Sequence, residues 1–411
     1  MRAQTAGAKV TSTSVGLVLA GGAARGAWEA GVLIHMLRSV GPAIGRPFPF
    51  RFLSGTSVGA FHAALLAAAA HDPAAGAAAL ERAWRRLVLG RVLKVDARAL
   101  GGLARALVGR SAAGGHGAFL SSLPFARLLA DNVSFDHIDA NLAAGRIGAV
   151  TVSATHVASG RTIVFAALAG GAPVDLGADP TMIARPVALR APHVLASAAI
   201  PMLFPAVVVD GELYCDGGLR QLVPLRPAVR LGAHAIVVVS PRATLVPTEP
   251  ANERAYSSPV YLLGKALDAL LLDHVDADVE RLEHLNRILA AGRRQFGPTF
   301  ERELGAGLGP GVAELRTIAS AVVRPSENLG CLAAEHVRSR RFARRACTPA
   351  GRLLRALADA EGGVETDLVS YLLFDGDYAG HLVDLGISDA RARHDELCAL
   401  LATADSARHA A

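Results

Sequence analysis

The sequence predicts an α/β protein with a mostly parallel sheet, because a strand that breaks at glycines and continues as a helix occurs twice within the first 70 residues. The first unit is Val15–Ala20, a glycine-rich turn Gly21–Gly26 and a helix Ala27–Arg38, with Trp28, Val32, Leu33 and Leu37 at helical spacing. The second is Phe50–Leu53, a turn around Ser57 and an alanine-rich helix to Ala70. A third observation is the dense run from Pro192 to Leu225, which contains a hairpin: Val207–Val209, the two-residue turn Asp210-Gly211, and Glu212–Cys215.

The remaining elements follow in order. Residues 1–14 are small and polar and read as a loose arm. Ala79–Leu107 has helical spacing with arginines along one side, and Ser111–Gly117 reads as a flexible loop. Ile147–Thr155 and Thr162–Ala166 alternate as strands do, and Ala235–Ser240 reads as a buried strand. From about Ser257 the pattern is helical to the end, interrupted by Gly/Pro segments at 305–311 and 324–326. No internal repeat is present.

The chain has 411 residues, of which 52% are hydrophobic and 19% charged, enough to bury a large core and too apolar for a disordered chain. The net charge of +6 is carried by arginine in 39 of 42 basic positions and is spread along the sequence, so it weakly favours an anionic partner and gives no reason to expect nucleic acid. Cys215, Cys331, Cys347 and Cys398 are too far apart in sequence for a metal or redox motif and read as reduced cytoplasmic thiols. The apolar run Val15–Ala20 is too short for a signal peptide and leads straight into glycines, so it reads as a first strand. No stretch has 18 uninterrupted apolar residues, so no transmembrane helix is expected.

Residues 55–59, "GTSVG", form G-x-S-x-G between a strand and a helix. The pentapeptide alone is common. In this setting Gly55 and Gly59 let the backbone turn sharply and present the Ser57 hydroxyl, with a helix N-terminus behind it that favours a developing negative charge. "GGAARG", residues 21–26, is a second glycine turn opening a helix, suited to holding an anion on backbone N–H groups. It lacks the G-x-G-x-x-G spacing of a dinucleotide site and the lysine of a P-loop. Arg25 within it suits either a phosphate contact or a surface position.

A nucleophilic serine needs a base. The histidines are scattered; His62 lies five residues past Ser57 and should point away from it, while His193 and His234 are the candidates if an imidazole serves. "CDGGL", residues 215–219, offers instead a carboxylate, Asp216, followed by Gly217 and Gly218 at the end of the hairpin. Asp210 reads as the hairpin turn, and Asp375 lies in the helical tail without a strand before it.

Taken together, "GGAARG" with "GVL" downstream, "GTSVGA", "ASAAIPMLFPAV" and "YCDGGL", in that order across about residues 15–240, resemble the patatin-like phospholipases. The resemblance implies a patatin-like three-layer α/β/α hydrolase with a central mostly parallel sheet, plus a helical C-terminal region. It implies a Ser–Asp dyad without histidine, metal or cofactor: Ser57 as nucleophile and Asp216 as base. The oxyanion would be held by the N–H groups of Gly21, Gly22 and Ala23, with Val58 adding one, and Arg25 would meet the substrate.

The expected activity is hydrolysis of carboxylic esters in glycerophospholipids at a transiently contacted membrane surface, by a cytoplasmic or peripheral protein. The alternatives are a lysophospholipase, a neutral-lipid esterase or an acyltransferase using the same site, or a non-catalytic membrane-associated scaffold. Oligomeric state is not encoded in any of these motifs. The expected organisation is an arm 1–14, a catalytic domain 15–240 and a helical region 241–411 that packs on or lids the core. In that region "PSENLG" and "YLLFDGDYAGHLVDLG" resemble C-terminal extensions of some bacterial patatin-like proteins. The basic cluster "RSRRFARR", residues 338–345, suits anionic headgroups or a solvated helix face. The apolar stretches Leu100–Val108 and Leu262–Leu272 suit a bilayer surface or the core.

Overall fold

The computed structural model of the protein describes residues 14–92, 121–171, 181–201, 203–219, 225–243, 258–308, 315–345, 347–361 and 365–406. The expected arm before Ser14, the helix beyond residue 92, the apolar stretch 100–108 and the loop 111–117 lie outside the described residues.

The described strands are β1 (Val15–Leu19), β2 (Phe52–Thr56), β3 (Ala149–His156), β4 (Thr162–Leu168), β5 (Met182–Pro186), β6 (Val207–Val209), β7 (Glu212–Asp216), β8 (Ala235–Val239) and β9 (Ala319–Val323). They form one sheet with the main order β5-β4-β3-β2-β1-β8-β9. From β3 through β9 all neighbours are parallel; β4 turns back antiparallel on β3, and β5 runs parallel to β4. The fold is therefore the mostly parallel sheet that the two strand–turn–helix units imply.

The helices used below are α1 (Gly26–His35), α2 (Val58–Ala68), α3 (Pro73–Arg85), α4 (Leu123–Asn132), α5 (Ala191–Ser197), α6 (Pro259–Phe296), α7 (Leu329–Arg338), α8 (Asp367–Leu372) and α9 (Gly376–Ala392). They cover both faces of the sheet. On β1, Val15, Leu17 and Leu19 join the core built with α1, α2 and α3, while Val18, and Ala20 just past the strand, join a second core that includes Val279 and Leu282 of α6. A strand buried on both faces reads as a continuous apolar run, which is why "VGLVL" carries no alternation.

Two strands escape the sequence reading. β5, "MIARP", has an arginine and a proline and sits at one sheet edge; β9, "ASAVV", is five residues long and sits at the other. β9 corrects the expectation of an all-helical chain beyond Ser257: it pairs in parallel with β8, from Ala235↔Ala319 to Val239↔Val323. The C-terminal region is thus built into the sheet. It is also pressed onto the first helix, where α9 crosses α1 so closely that a Cβ on Gly31 would lie 2.1 Å from the Val383 carbonyl oxygen and one on Gly386 2.0 Å from that of Trp28. Trp28 Nε1 donates to Asp389 Oδ2 at 2.7 Å across the same contact.

In the basic cluster Phe342 is buried, Arg338, Arg340, Arg341 and Arg344 are exposed, and Arg345 pairs with Asp375 and Asp377. That is a solvated face anchored by one aromatic. Among the described residues no helix is long and apolar enough to cross a membrane.

Candidate active site

The site forms where β2 stops. β2 pairs with β3 up to Thr56↔Ser153, then the chain leaves the sheet at Ser57. One step further along β3, Ala154 pairs with Asp216 of the antiparallel strand β7. The other edge of β3 is occupied by β4, so β7 enters the lane that β2 has just vacated. Ser57 and Asp216, far apart in sequence, therefore arrive at the same seam.

Ser57 has φ 56° and ψ −124°, a left-handed conformation that costs a non-glycine residue about 1–3 kcal/mol and persists only when its surroundings fix it. They do so here. A Cβ on Gly55 would lie 2.2 Å from the Gly59 carbonyl oxygen, and one on Gly59 would lie 2.4 Å from that of Leu19, so both positions exclude a side chain. The Ser57 N–H donates to Ser197 Oγ at 2.9 Å, and Ser197 Oγ donates to the Ser153 carbonyl at 2.6 Å. Ser197 of α5 thus ties the turn to β3. It lies within "ASAAIPMLFPAV", but its role was not legible because its partners are remote in sequence.

Asp216 is fully buried. Its backbone is fixed by Asp216 N–H to the Ala199 carbonyl (2.9 Å) and by Thr155 Oγ1 to the Asp216 carbonyl (3.0 Å). Gly217 allows the following turn to press on β3, where a Cβ would meet the Ser153 carbonyl oxygen at 2.2 Å. The Gly218 N–H donates to Oδ1 at 2.7 Å, and Oδ2 is buried without a hydrogen-bond partner. Burial raises the carboxyl pKa to about 7, opposed by the Gly218 N–H and by the nearby Ser57 hydroxyl. The hydroxyl is close enough to favour the charged form without completing a hydrogen bond to Oδ2. Resting-state hydrogen bonds between reacting groups are often loose and tighten with substrate.

The Gly21–Arg25 turn runs across the hydroxyl. A Cβ on Gly21 would sit 3.2 Å from the Ser57 Cβ and 3.9 Å from its Oγ, and one on Gly22 would strike Pro241 at 2.8 Å. Ala23 is held at φ 46°. Ala23, Ser57 and Val58 line a narrow cavity of about 50 Å³ whose other walls are mainly apolar, among them Phe61, Trp84, Phe125, Leu195, Ile200 and Phe374, with Ser121 and Ser122 beside them. Val58 opens α2, where first-turn N–H groups have no acceptor within the helix. A hydroxyl, a carboxyl able to take its proton, and backbone donors at the mouth of an apolar slot are what acyl transfer through a serine requires.

Arg25 differs from the expectation of a substrate contact. It is buried, and its guanidinium is engaged with residues of the C-terminal region, Asp268, Asp367, Ser370 and Tyr371. The reason is charge: two carboxylates, from α6 and α8, already pair with the guanidinium.

The histidines lie elsewhere. His193 accepts the Arg190 N–H at 2.9 Å and packs on Phe165, and its pKa is lowered by burial. His234 lies 3.0 Å from the Ser14 hydroxyl at the far end of the sheet. His62 is wholly buried, with Nδ1 2.5 Å from Glu29 Oε1 and Nε2 accepting the Trp84 Nε1–H at 2.9 Å. Asp375 caps α9 and pairs with His336 and Arg345. Among the described residues no group of three or more His, Cys, Asp or Glu side chains is arranged to hold a metal ion.

Residues 17–229, just over half of the 411, match the family model Patatin, described as patatin-like phospholipase. The chain is also similar to the crystal structure of VipD from Legionella pneumophila. Identity is 12%, covering 89% of this chain and 91% of that one, with a TM-score of 0.32, which is too loose to carry an argument. No curated protein matches the chain.

Proposed function

The chain belongs to the patatin-like phospholipase family, and on that premise we propose that it is a lipid acyl hydrolase that cleaves carboxylic esters of glycerophospholipids through Ser57 and Asp216. The observation that supports the dyad best is the shared seam: Asp216 occupies the lane that β2 leaves at Ser57, with one buried carboxylate oxygen free of partners.

In the proposed reaction Asp216 Oδ2 accepts the Ser57 proton as Oγ attacks the ester carbonyl carbon. The tetrahedral oxyanion is bound by N–H groups of Gly21, Gly22 and Ala23, with Val58 adding the dipole end of α2; each such donor contributes about 10²–10³ in rate in other hydrolases. Collapse breaks the C–O bond and returns the proton from Asp216 to the departing alcohol. Water, deprotonated by Asp216, then attacks the acyl-Ser57 ester; collapse releases the fatty acid as Asp216 returns the proton to the Ser57 oxygen. A carboxyl raised to about 7 is a far better base for this than an ordinary aspartate near 4.

Among the described residues the slot is lined mainly by apolar side chains and by no charged one, which suits an acyl chain rather than a headgroup; at about 50 Å³ it must widen to take more than the first carbons of one. The substrate then presents its ester from a lipid surface, which makes membrane contact transient. A fluorophosphonate probe tests the reading. It should label the wild type and not Ser57→Ala; unlabelled wild type should release fatty acid from phosphatidylcholine vesicles, and both the labelled wild type and Ser57→Ala should not. Absence of labelling in folded wild type would leave a non-catalytic scaffold as the better account.

A further inference from the structure

The turn that crosses Ser57 is held from the far end of the chain. Each guanidinium nitrogen of Arg25 bonds to the C-terminal region: Nε donates to Ser370 Oγ at 2.7 Å, Nη1 to Asp268 Oδ1 at 2.9 Å and to the Tyr371 hydroxyl at 3.3 Å, and Nη2 to Asp367 Oδ1 at 3.0 Å. The guanidinium also lies over the Tyr371 ring, 4.1 Å from its centroid. The acceptors are themselves fixed. Lys265 Nζ holds the second Asp367 oxygen at 2.7 Å, and Ser370 Oγ donates to the Asp367 carbonyl at 2.6 Å, which turns its lone pairs toward Arg25. Glu361 accepts the Leu368 and Val369 N–H groups and so anchors the start of α8.

A buried ion pair adds little net stability, because desolvation offsets the attraction; what it can enforce is one geometry. The geometry in question is unusual. Two residues before Arg25, Ala23 is held at φ 46°, a conformation that a free turn of non-glycine residues would leave. The same short segment that grips Arg25 also ends at Phe374, a wall of the cavity over Ser57.

We propose that Arg25 is a positioning residue: α8, through Asp367 and Ser370 and together with Asp268 of α6, holds Gly21–Ala23 in the arrangement that receives the oxyanion. The C-terminal region then completes the active site and does more than cover it. This rests on the hydrolase reading above, since it assigns a role within that reaction.

The full-length Asp367→Asn and Arg25→Lys variants test it; the first removes the charge and the second removes the fork. Hydrogen exchange at amides 21–26 should accelerate at least tenfold in each, with β1 and β8 as protected as in the wild type. On a p-nitrophenyl acyl ester, kcat should fall about 10- to 100-fold with KM within threefold, and the double variant should be no slower than the worse single. Ser370→Ala, a milder change, should shift both readouts the same way by several-fold should either variant fail to fold. Wild-type exchange and wild-type kcat in folded variants would overturn the proposal, as would a loss of protection spread evenly over the sheet. If the wild type itself turns over no ester, the hydrolase reading fails instead, and exchange at 21–26 alone decides the clamp.

Discussion

Two buried carboxyl groups lie close to the Ser57 segment; each keeps one oxygen without a hydrogen-bond partner, and they differ in what holds the other. Glu29 of α1 has an imidazole: His62 lies 2.5 Å away, and Trp84 donates to the other ring nitrogen. Asp216 has none; its Oδ1 takes the Gly218 N–H, its Oδ2 has no hydrogen-bond partner, and the Ser57 hydroxyl is near enough to favour its charged form. On the proposed reading, a search for a carboxylate–histidine pair would choose the wrong place. Burial pushes Glu29 well above the usual carboxyl range and lowers His62 to about 3, so both are neutral, and the lone pair a base would need is already spent on Trp84. The difference teaches that a base is identified by a free acceptor facing the hydroxyl, not by residue type. The carboxyl–imidazole pair here belongs to the packing of α1, α2 and α3.

The largest expected effect that separates the two clusters is on turnover. Ser57→Ala and Asp216→Ala should each lower kcat by about 10⁴-fold or more, the scale seen when a member of a serine catalytic unit is removed. His62→Gln should leave kcat of the folded protein within a few-fold, measured on the same ester. Equal losses from His62 and Asp216 variants would erase the distinction.

The second effect is on pH. Because the active form of Asp216 is ionised, kcat/KM should rise through a single ionisation near pH 7 and stay flat above it. Stability should run the other way. A carboxyl raised from 3.8 to about 7 holds its proton in the folded state over a range where the unfolded chain has lost it, so stability falls as pH rises between those values. Asp216→Asn removes that penalty. It should be inactive yet more stable than the wild type above pH 7, by at most the order of 4 kcal/mol, and no different below pH 4; chemical denaturation at the two pH values reads this.

The smaller effects lie in the neutral cluster. His62→Gln should lower stability by about 1–3 kcal/mol, because it leaves buried polar groups on Glu29 and Trp84 without good partners. Glu29→Gln should change stability by about 1 kcal/mol or less, since a protonated carboxyl is replaced by a neutral group of the same shape, and should leave the pH–rate curve unmoved. A shift of that curve would place Glu29 in the titration assigned to Asp216.

What the sequence made legible was local. The glycines at 21, 22, 55, 59 and 217 mark close approaches beside Ser57 or Asp216, so the turn, the loop and the carboxylate are readable from short motifs. What it hid were partners set by tertiary register. Nothing near Ala154 shows that β7 will fill the lane that β2 leaves, and nothing near Ser197 shows that its hydroxyl will hold the Ser57 N–H. Arg25 misled for the same reason: beside a glycine loop it suggests a phosphate, and only the folded chain brings Asp268 and Asp367 to it. β9 escapes notice because five small residues, four of them apolar, carry too little periodicity to oppose the helical signals around them.

The most direct test of the central claim is the rate at which a fluorophosphonate modifies Ser57 at pH 8 in Asp216→Asn, followed by intact-protein mass spectrometry and compared with the wild type. A carboxylate acting alone as base predicts a fall of at least about 10³-fold in a variant that is fully folded. A rate within tenfold of the wild type would contradict it and send the search for the base back to the imidazoles.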